Sequence, residues 1–79
     1  MAKKSFHLIF PQHLIREPLM FLVARDHHLV LGIRRARITE TAGEATIELE
    51  GTAEDLTHAE QTFRAKGVHV ENVLGDVIE

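Results

Sequence analysis

Hydrophobic and polar positions alternate most clearly between Val30 and Gly51, in V-L-G-I-R-R-A-R-I-T-E-T-A-G-E-A-T-I-E-L-E-G. Ala45, Ile47 and Leu49 interleave with Thr46, Glu48 and Glu50, the pattern of a strand buried on one face. Ahead of it, Ala36 and Ile38 interleave with Arg35, Arg37 and Thr39. The polar T-A-G-E between the two runs predicts a hairpin, with Gly43 expected at a positive φ. The two parities agree if Ile38 lies opposite Ala45 or Ile47. Arg35 and Arg37 then stand beside Glu48 and Glu50 on the exposed face, where such pairs favour a register more than they stabilise a fold.

The flanking segments complete the pattern. Ser5 to Phe10 predicts a strand with Phe6, Leu8 and Phe10 on one face and His7 and Ile9 on the other. Pro11, which cannot donate to a ladder, ends it and opens a connection to Glu17. Pro18 predicts the start of a helix as its first residue, with Leu19, Leu22 and Val23 as a stripe, Met20 and Ala24 beside it, and an end near His27 or His28. Leu29 to Thr41 and Glu44 to Glu50 are the hairpin strands. Thr52, with Asp55 three residues on, predicts a capped second helix carrying Leu56, Ala59 and Phe63. Gly67 is expected just past its C-terminus. Val68 to Ile78 predicts a last strand with Val68 and Val70 inward, interrupted by a bulge or turn at Gly75.

Strand, helix, strand, strand, helix, strand is a split βαβ order. With right-handed crossovers it gives a ferredoxin-like α+β fold, a four-stranded antiparallel sheet with both helices on one face. On uninterrupted alternation the uncovered face carries His7, Ile9, Leu31, Ile33, Arg35, Arg37, Thr46, Glu48, Glu50, His69, Glu71 and Val73. Ile9, Leu31, Ile33 and Val73 would be apolar and wet, which predicts a contact surface.

Length and composition narrow the function classes. Seventy-nine residues predict a single domain over 1–79. A chain this short buries only ~60% of its unfolded surface, so a homodimer is the expected supplement. With no cysteine, disulfides, thiolate zinc and iron–sulfur ligation by this chain are excluded. A net charge of −3 with both signs interspersed argues against nucleic acid as a partner. No run approaches the ~20 apolar residues of a membrane span, and F-H-L-I-F after M-A-K-K is too short and polar for a secretion signal, so the expectation is cytoplasmic.

Candidate chemistry is sparse. Among six histidines none form a helical metal-binding pair, and His7 with His69 is the one plausible cross-strand pair, so no metal or cofactor is expected. Of the arginines, Arg35 and Arg37 are expected to be neutralised by the glutamates. Arg34, with the opposite parity, points towards the helices and is a candidate for orienting a carboxylate. There is no nucleophile elbow, Ser–His–Asp set or Gly-rich phosphate loop, and no enzyme is expected. Stacking aromatics, a Cys-x-x-Cys and a Gly-rich anion cradle are also missing, which sets aside RNA-binding, metal-carrier and acylphosphatase-like uses of this fold.

The run I-R-E-P, then G-I-R-R-A-R-I-T-E, I-E-L-E-G and A-E-Q-T-F-R-A-K-G-V-H-V-E, in that order and spacing, resembles the NIL domain family from about Phe6 to Val77. The resemblance implies the ferredoxin-like fold. It also implies kinship with domains at the C-terminus of ATPase subunits of methionine-importing ABC transporters, which pair as dimers and bind methionine as a regulatory signal. Other members stand beside iron–sulfur modules or in sulfur metabolism, and I-R-R-A-R-I-T-E looks more like that branch. Where the family has Asn-Ile-Leu, this chain has Gly32-Ile33-Arg34, so the amide is replaced by glycine. No nucleotide-binding domain accompanies the sequence, so regulation of transport in cis is not expected. The reading is a non-enzymatic module sensing a sulfur amino acid at a dimer interface. Its site is placed at Leu31, Gly32, Ile33, Arg34 and Arg35, with Ile33 packing the ligand tail and Arg34 meeting a carboxylate. The alternative is a module that docks an iron–sulfur or sulfur-metabolism protein through the open sheet face.

Overall fold

The computed structural model describes residues 1–14 and 18–73. Strand β1 (Ala2–Phe10) leads through a 3-10 turn at Gln12–Leu14 to helix α1 (Leu19–Asp26). Strands β2 (Val30–Ile38) and β3 (Gly43–Gly51) form the hairpin, followed by helix α2 (Ala53–Ala65) and strand β4 (His69–Asn72). All pairings are antiparallel, in the order β2-β3-β1-β4. This is the ferredoxin-like arrangement predicted from the chain order. The predicted last strand beyond Val73, with Gly75, lies outside the described residues, as does the end of the first connection at 15–17.

The core is the stripe the alternation selects. Phe6 and Leu8 on β1, Ile47 and Leu49 on β3, and Ala59 and Phe63 on α2 have no exposed surface. Val68 and Val70 close it at the β4 side. On α1, Leu19, Val23 and Ala24 are buried, whereas Leu22 is only half-buried and Phe21 is exposed. The cap on α2 forms as predicted, with the Asp55 amide donating to Thr52 Oγ1 at 3.0 Å. Gly67 follows the helix at φ 97°. Pro18 stands one position earlier than predicted, as the N-cap of α1, and His28 takes a positive φ where that helix turns into β2.

The hairpin departs from expectation at three points. Gly43 lies inside β3 without a positive φ, because the turn is built by a side chain instead. Thr39 Oγ1 accepts from the amides of Thr41 and Ala42, and the Thr39 amide donates to the Ala42 carbonyl at 2.8 Å. A threonine oxygen bonding backbone two and three residues on thus takes the part expected of glycine. The register is also different, with Ile38 opposite Gly43, Ala36 opposite Ala45 and Ile33 opposite Ile47. Finally, Arg35 lies opposite Thr46 and Arg37 opposite Glu44, rather than beside Glu48 and Glu50.

The cause is a β-bulge. The pairing steps from Ile33–Ile47 directly to Arg35–Thr46, leaving Arg34 as the extra residue. One inserted residue exchanges the two faces for everything before it. Leu31 and Ile33 therefore lie on the helix side, opposite Leu49 and Ile47, and not on the open face. The sequence carried the signal. Apolar residues at 31, 33, 36 and 38 keep a spacing of two except for one gap of three, and that gap spans Arg34.

The helix layer is shorter than the hairpin. Eight residues of α1 span about 12 Å, while nine residues of β2 span about 30 Å. Helix α1 rests on α2 and β2, and α2 on β3 and β4. Along the helix side of β2, Leu31 packs against the core, but Ile33 is 46% exposed and Ile38 61% exposed.

Candidate functional site

On the open side of the sheet, one row runs across three strands. Lys3 lies opposite Glu50, and Glu50 opposite Val30. In the next row Glu48 lies opposite Gly32. Glycine in a strand interior costs packing, and it marks a place where something else approaches the backbone. A Cβ at Gly32 would meet nothing within 4 Å. The missing side chain leaves a recess of about 120 Å³ lined by Lys3, Val30, Leu31, Gly32, Glu48 and Glu50.

The recess offers two carboxylates, one ammonium group and an aliphatic wall. Glu48 and Glu50 can accept from a cationic nitrogen, Lys3 can donate to a carboxylate, and Val30 supplies apolar surface that is 62% exposed. Arg34 adds a second cation at the rim, its Nε lying 3.7 Å from Glu48 Oε1. This corrects the expectation that Arg34 points towards the helices. The bulge turns it to the open side, where Glu48 meets it.

Of the five residues predicted for the site, Leu31 and Gly32 line the recess and Arg34 reaches its wall through Glu48. Ile33 does not line it, because the bulge assigns it to the helix side. Arg35 stands exposed opposite Thr46, beyond the bulge. Lys3, Val30, Glu48 and Glu50 were not predicted. The strand glycine flanked by charged neighbours in the adjacent alternating strand was the available signal.

A second recess, of about 260 Å³, lies at the hairpin turn between Arg37, Thr39, Ala42, Gly43 and Glu44. Its arginine faces Glu44 across the ladder and its floor is turn backbone, so it presents little that would orient a ligand. Further along the open face His7 hydrogen-bonds Thr46 Oγ1 at 3.1 Å and approaches Glu44 at 3.7 Å. His69 lies opposite Ile9 and approaches Glu71 at 3.6 Å. Among the described residues no three histidines or acids stand where they could hold a metal ion.

Among the described residues no helix is long and apolar enough to cross a membrane. No curated protein sequence matches the chain. Among solved structures it is similar to the C-terminal domain of an ABC transporter ATP-binding protein from Enterococcus faecalis, with a TM-score of 0.81 and 19% identity, over 95% of this chain and 88% of that one. At that identity the likeness establishes the fold. The family model for the NIL domain matches residues 4–72, which includes the bulged hairpin and every residue lining the Gly32 recess except Lys3. On that match, the chain belongs to the NIL domain family.

Proposed function

We propose that this NIL domain is a non-enzymatic regulatory module that binds a small zwitterionic amino acid at the Gly32 recess, as a homodimer. The observation that carries the reading is the charge pattern around a backbone notch. Carboxylates of Glu48 and Glu50 suit an α-ammonium group, Lys3 suits an α-carboxylate, and Val30 suits an apolar tail. The resemblance of the chain to methionine-binding NIL domains makes methionine the first ligand to test. Isothermal titration of the chain with methionine is expected to give heat that disappears in Gly32→Phe, whose ring would fill the notch. No heat with the natural chain, or equal heat from both, contradicts the reading.

A second reading has its own observation. Beyond the bulge, Arg35 and Arg37 are exposed on the open face, and the 37% exposed Ile9 stands two strands away in the row of Arg37, across Glu44 of β3. That half suits docking to an acidic surface on a redox or sulfur-metabolism protein without any small ligand. Reversing both charges is expected to abolish such docking, and retained binding to the same partner contradicts it.

A further inference from the structure

We infer that His27 and His58, brought together where α1 meets α2, form a two-imidazole site for a borderline divalent transition-metal ion of the zinc class. The site lies in the helix layer, across the sheet from the Gly32 recess, and is independent of the ligand reading above.

His27 is the C-cap of α1, and His58 stands in the middle of α2, one turn before Thr62. The two rings have their centroids 6.4 Å apart and their planes inclined at 51°. His27 is half-buried and His58 exposed. A histidine pair on one helix shows itself by a four-residue spacing. This pair is made by the packing of two helices, so no local spacing announces it.

The hydrogen bonds decide which nitrogen of His27 is available. Thr62 Oγ1 donates to the His58 carbonyl at 2.9 Å. A hydroxyl has one hydrogen, so towards His27 Nε2, 3.0 Å away, the same oxygen can only accept. Nε2 therefore carries a proton, and in the neutral ring Nδ1 is a bare lone pair. Among the described residues none hydrogen-bonds Nδ1 of His27 or either ring nitrogen of His58. A ring that donates one N–H to an oxygen and keeps the other nitrogen bare is arranged as metal-binding histidines are, where the outer hydrogen bond fixes tautomer and orientation. A plain bond between the helices needs only His27 and Thr62. The second, unbonded ring beside them is what points to a shared ion.

The spacing suits one ion. With a Zn–N distance of about 2.1 Å, each ring centroid sits about 3.2 Å from the metal, so two rings on one ion are about 5.2 Å apart at a tetrahedral angle and about 6.4 Å when fully opened. The observed 6.4 Å is that open limit. The exposed His58 closes the remaining ~1 Å by turning about its side-chain torsions. Glu54 and Asp55 stand one turn ahead of His58 and form no ion pair with the described residues, so the surroundings are negative. Imidazole nitrogen selects zinc, nickel and copper over magnesium and calcium, which take oxygen ligands. Among the described residues no third histidine or acid completes the set, so water fills the other positions and the ion is exchangeable.

The ion ties the end of α1 to α2. That helix has only eight residues, and its N-cap, Pro18, makes no side-chain cap hydrogen bond. Zinc held more tightly by the folded chain than by the unfolded one therefore stabilises the helix layer.

The test is a zinc titration of the natural chain, followed through the imidazole nitrogens by long-range nitrogen–proton correlation spectra. Before zinc is added, His27 is expected as the Nε2–H tautomer. Zinc is expected to shift Nδ1 of His27 together with a ring nitrogen of His58, before His7 or His69 respond, and to raise the thermal midpoint. Thr62→Val, which removes the acceptor, is expected to weaken zinc binding by about tenfold and to move His27 towards the Nδ1–H tautomer, a change that loss of packing alone would not make. His58→Ala, at an exposed position, is expected to weaken binding by at least about tenfold. A chain carrying both His7→Gln and His69→Gln is expected to bind zinc as the natural chain does. An Nδ1–H tautomer of His27 in the natural chain overturns the site. So does zinc affinity unchanged by His58→Ala or Thr62→Val, and so do zinc shifts that begin at His7 and His69, or no shift of His27 and His58 at millimolar zinc.

Discussion

Arg34 Nε lies 3.7 Å from Glu48 Oε1, on the open side of the sheet, although strict alternation would send Arg34 to the helix side. The ion pair marks the residue inserted by the bulge. Ile33 and Arg35 keep opposite faces around it, as adjacent strand residues would with Arg34 removed. Deleting Arg34 is therefore expected to preserve every cross-strand pair and to cost about 1 kcal/mol, the loss of its partly exposed polar contacts. Deleting Ala36 instead inverts the faces on one side of the gap and is expected to cost more. Urea denaturation of the two deletions checks this, and equal losses would contradict the bulge assignment.

Gly32 and Gly51 predict opposite outcomes for the same change. A Cβ at Gly32 meets nothing, whereas at Gly51 it runs into the Leu29 side chain. Gly32→Ala is expected to leave the thermal midpoint within a few degrees, which corresponds to less than about 0.5 kcal/mol. Gly51→Ala must displace a buried leucine and is expected to cost about 1–3 kcal/mol. The stronger form of this test is Gly32→Asn, which restores the amide that the family carries at this position. It is expected to fold normally and, because its side chain occupies the notch, to bind methionine more weakly than the natural chain. Unchanged binding in a folded variant would count against the recess as the site.

The edge contact made by Arg64 should be measurable. Its guanidinium bonds both Glu60 on α2 and the Val70 carbonyl on β4. Arg64→Ala is expected to destabilise the fold by about 1 kcal/mol and to speed amide exchange in β4 more than in β1. Uniform exchange would mean that the contact does not hold the edge.

Phe63 has no exposed surface and sits at the centre of the helix–sheet core. Phe63→Ala is expected to cost about 3–5 kcal/mol, set against a total of roughly 4–12 kcal/mol for a domain of this size. Loss of a cooperative thermal transition is the expected result, while Thr52→Ala, which removes only the cap, is expected to cost about 1 kcal/mol.

The fold was legible because its signals are local and repeated. Phe6, Leu8 and Phe10 alternate without interruption, Thr52 and Gly67 bracket α2, and the order of elements admits few topologies. The site was less legible. Strict alternation carries the wrong phase across an insertion, and Arg34 is neither glycine nor proline, so the mark of the bulge is the single three-residue gap from Ile33 to Ala36. Alternation alone therefore sends Leu31 and Ile33 to the wrong side. The walls of the recess come from β1 and β3, and Lys3 and Glu50 become neighbours of Val30 only through the register of three strands. Gly32 could be singled out from the sequence, but what surrounds it could not.

The most direct test of the account is a two-dimensional amide titration of the natural chain with methionine. The recess predicts shifts gathered at Lys3, Val30 to Gly32, Glu48 and Glu50, with Arg37 and the hairpin turn unmoved. Shifts confined to the turn, or none at millimolar methionine, would contradict binding at Gly32.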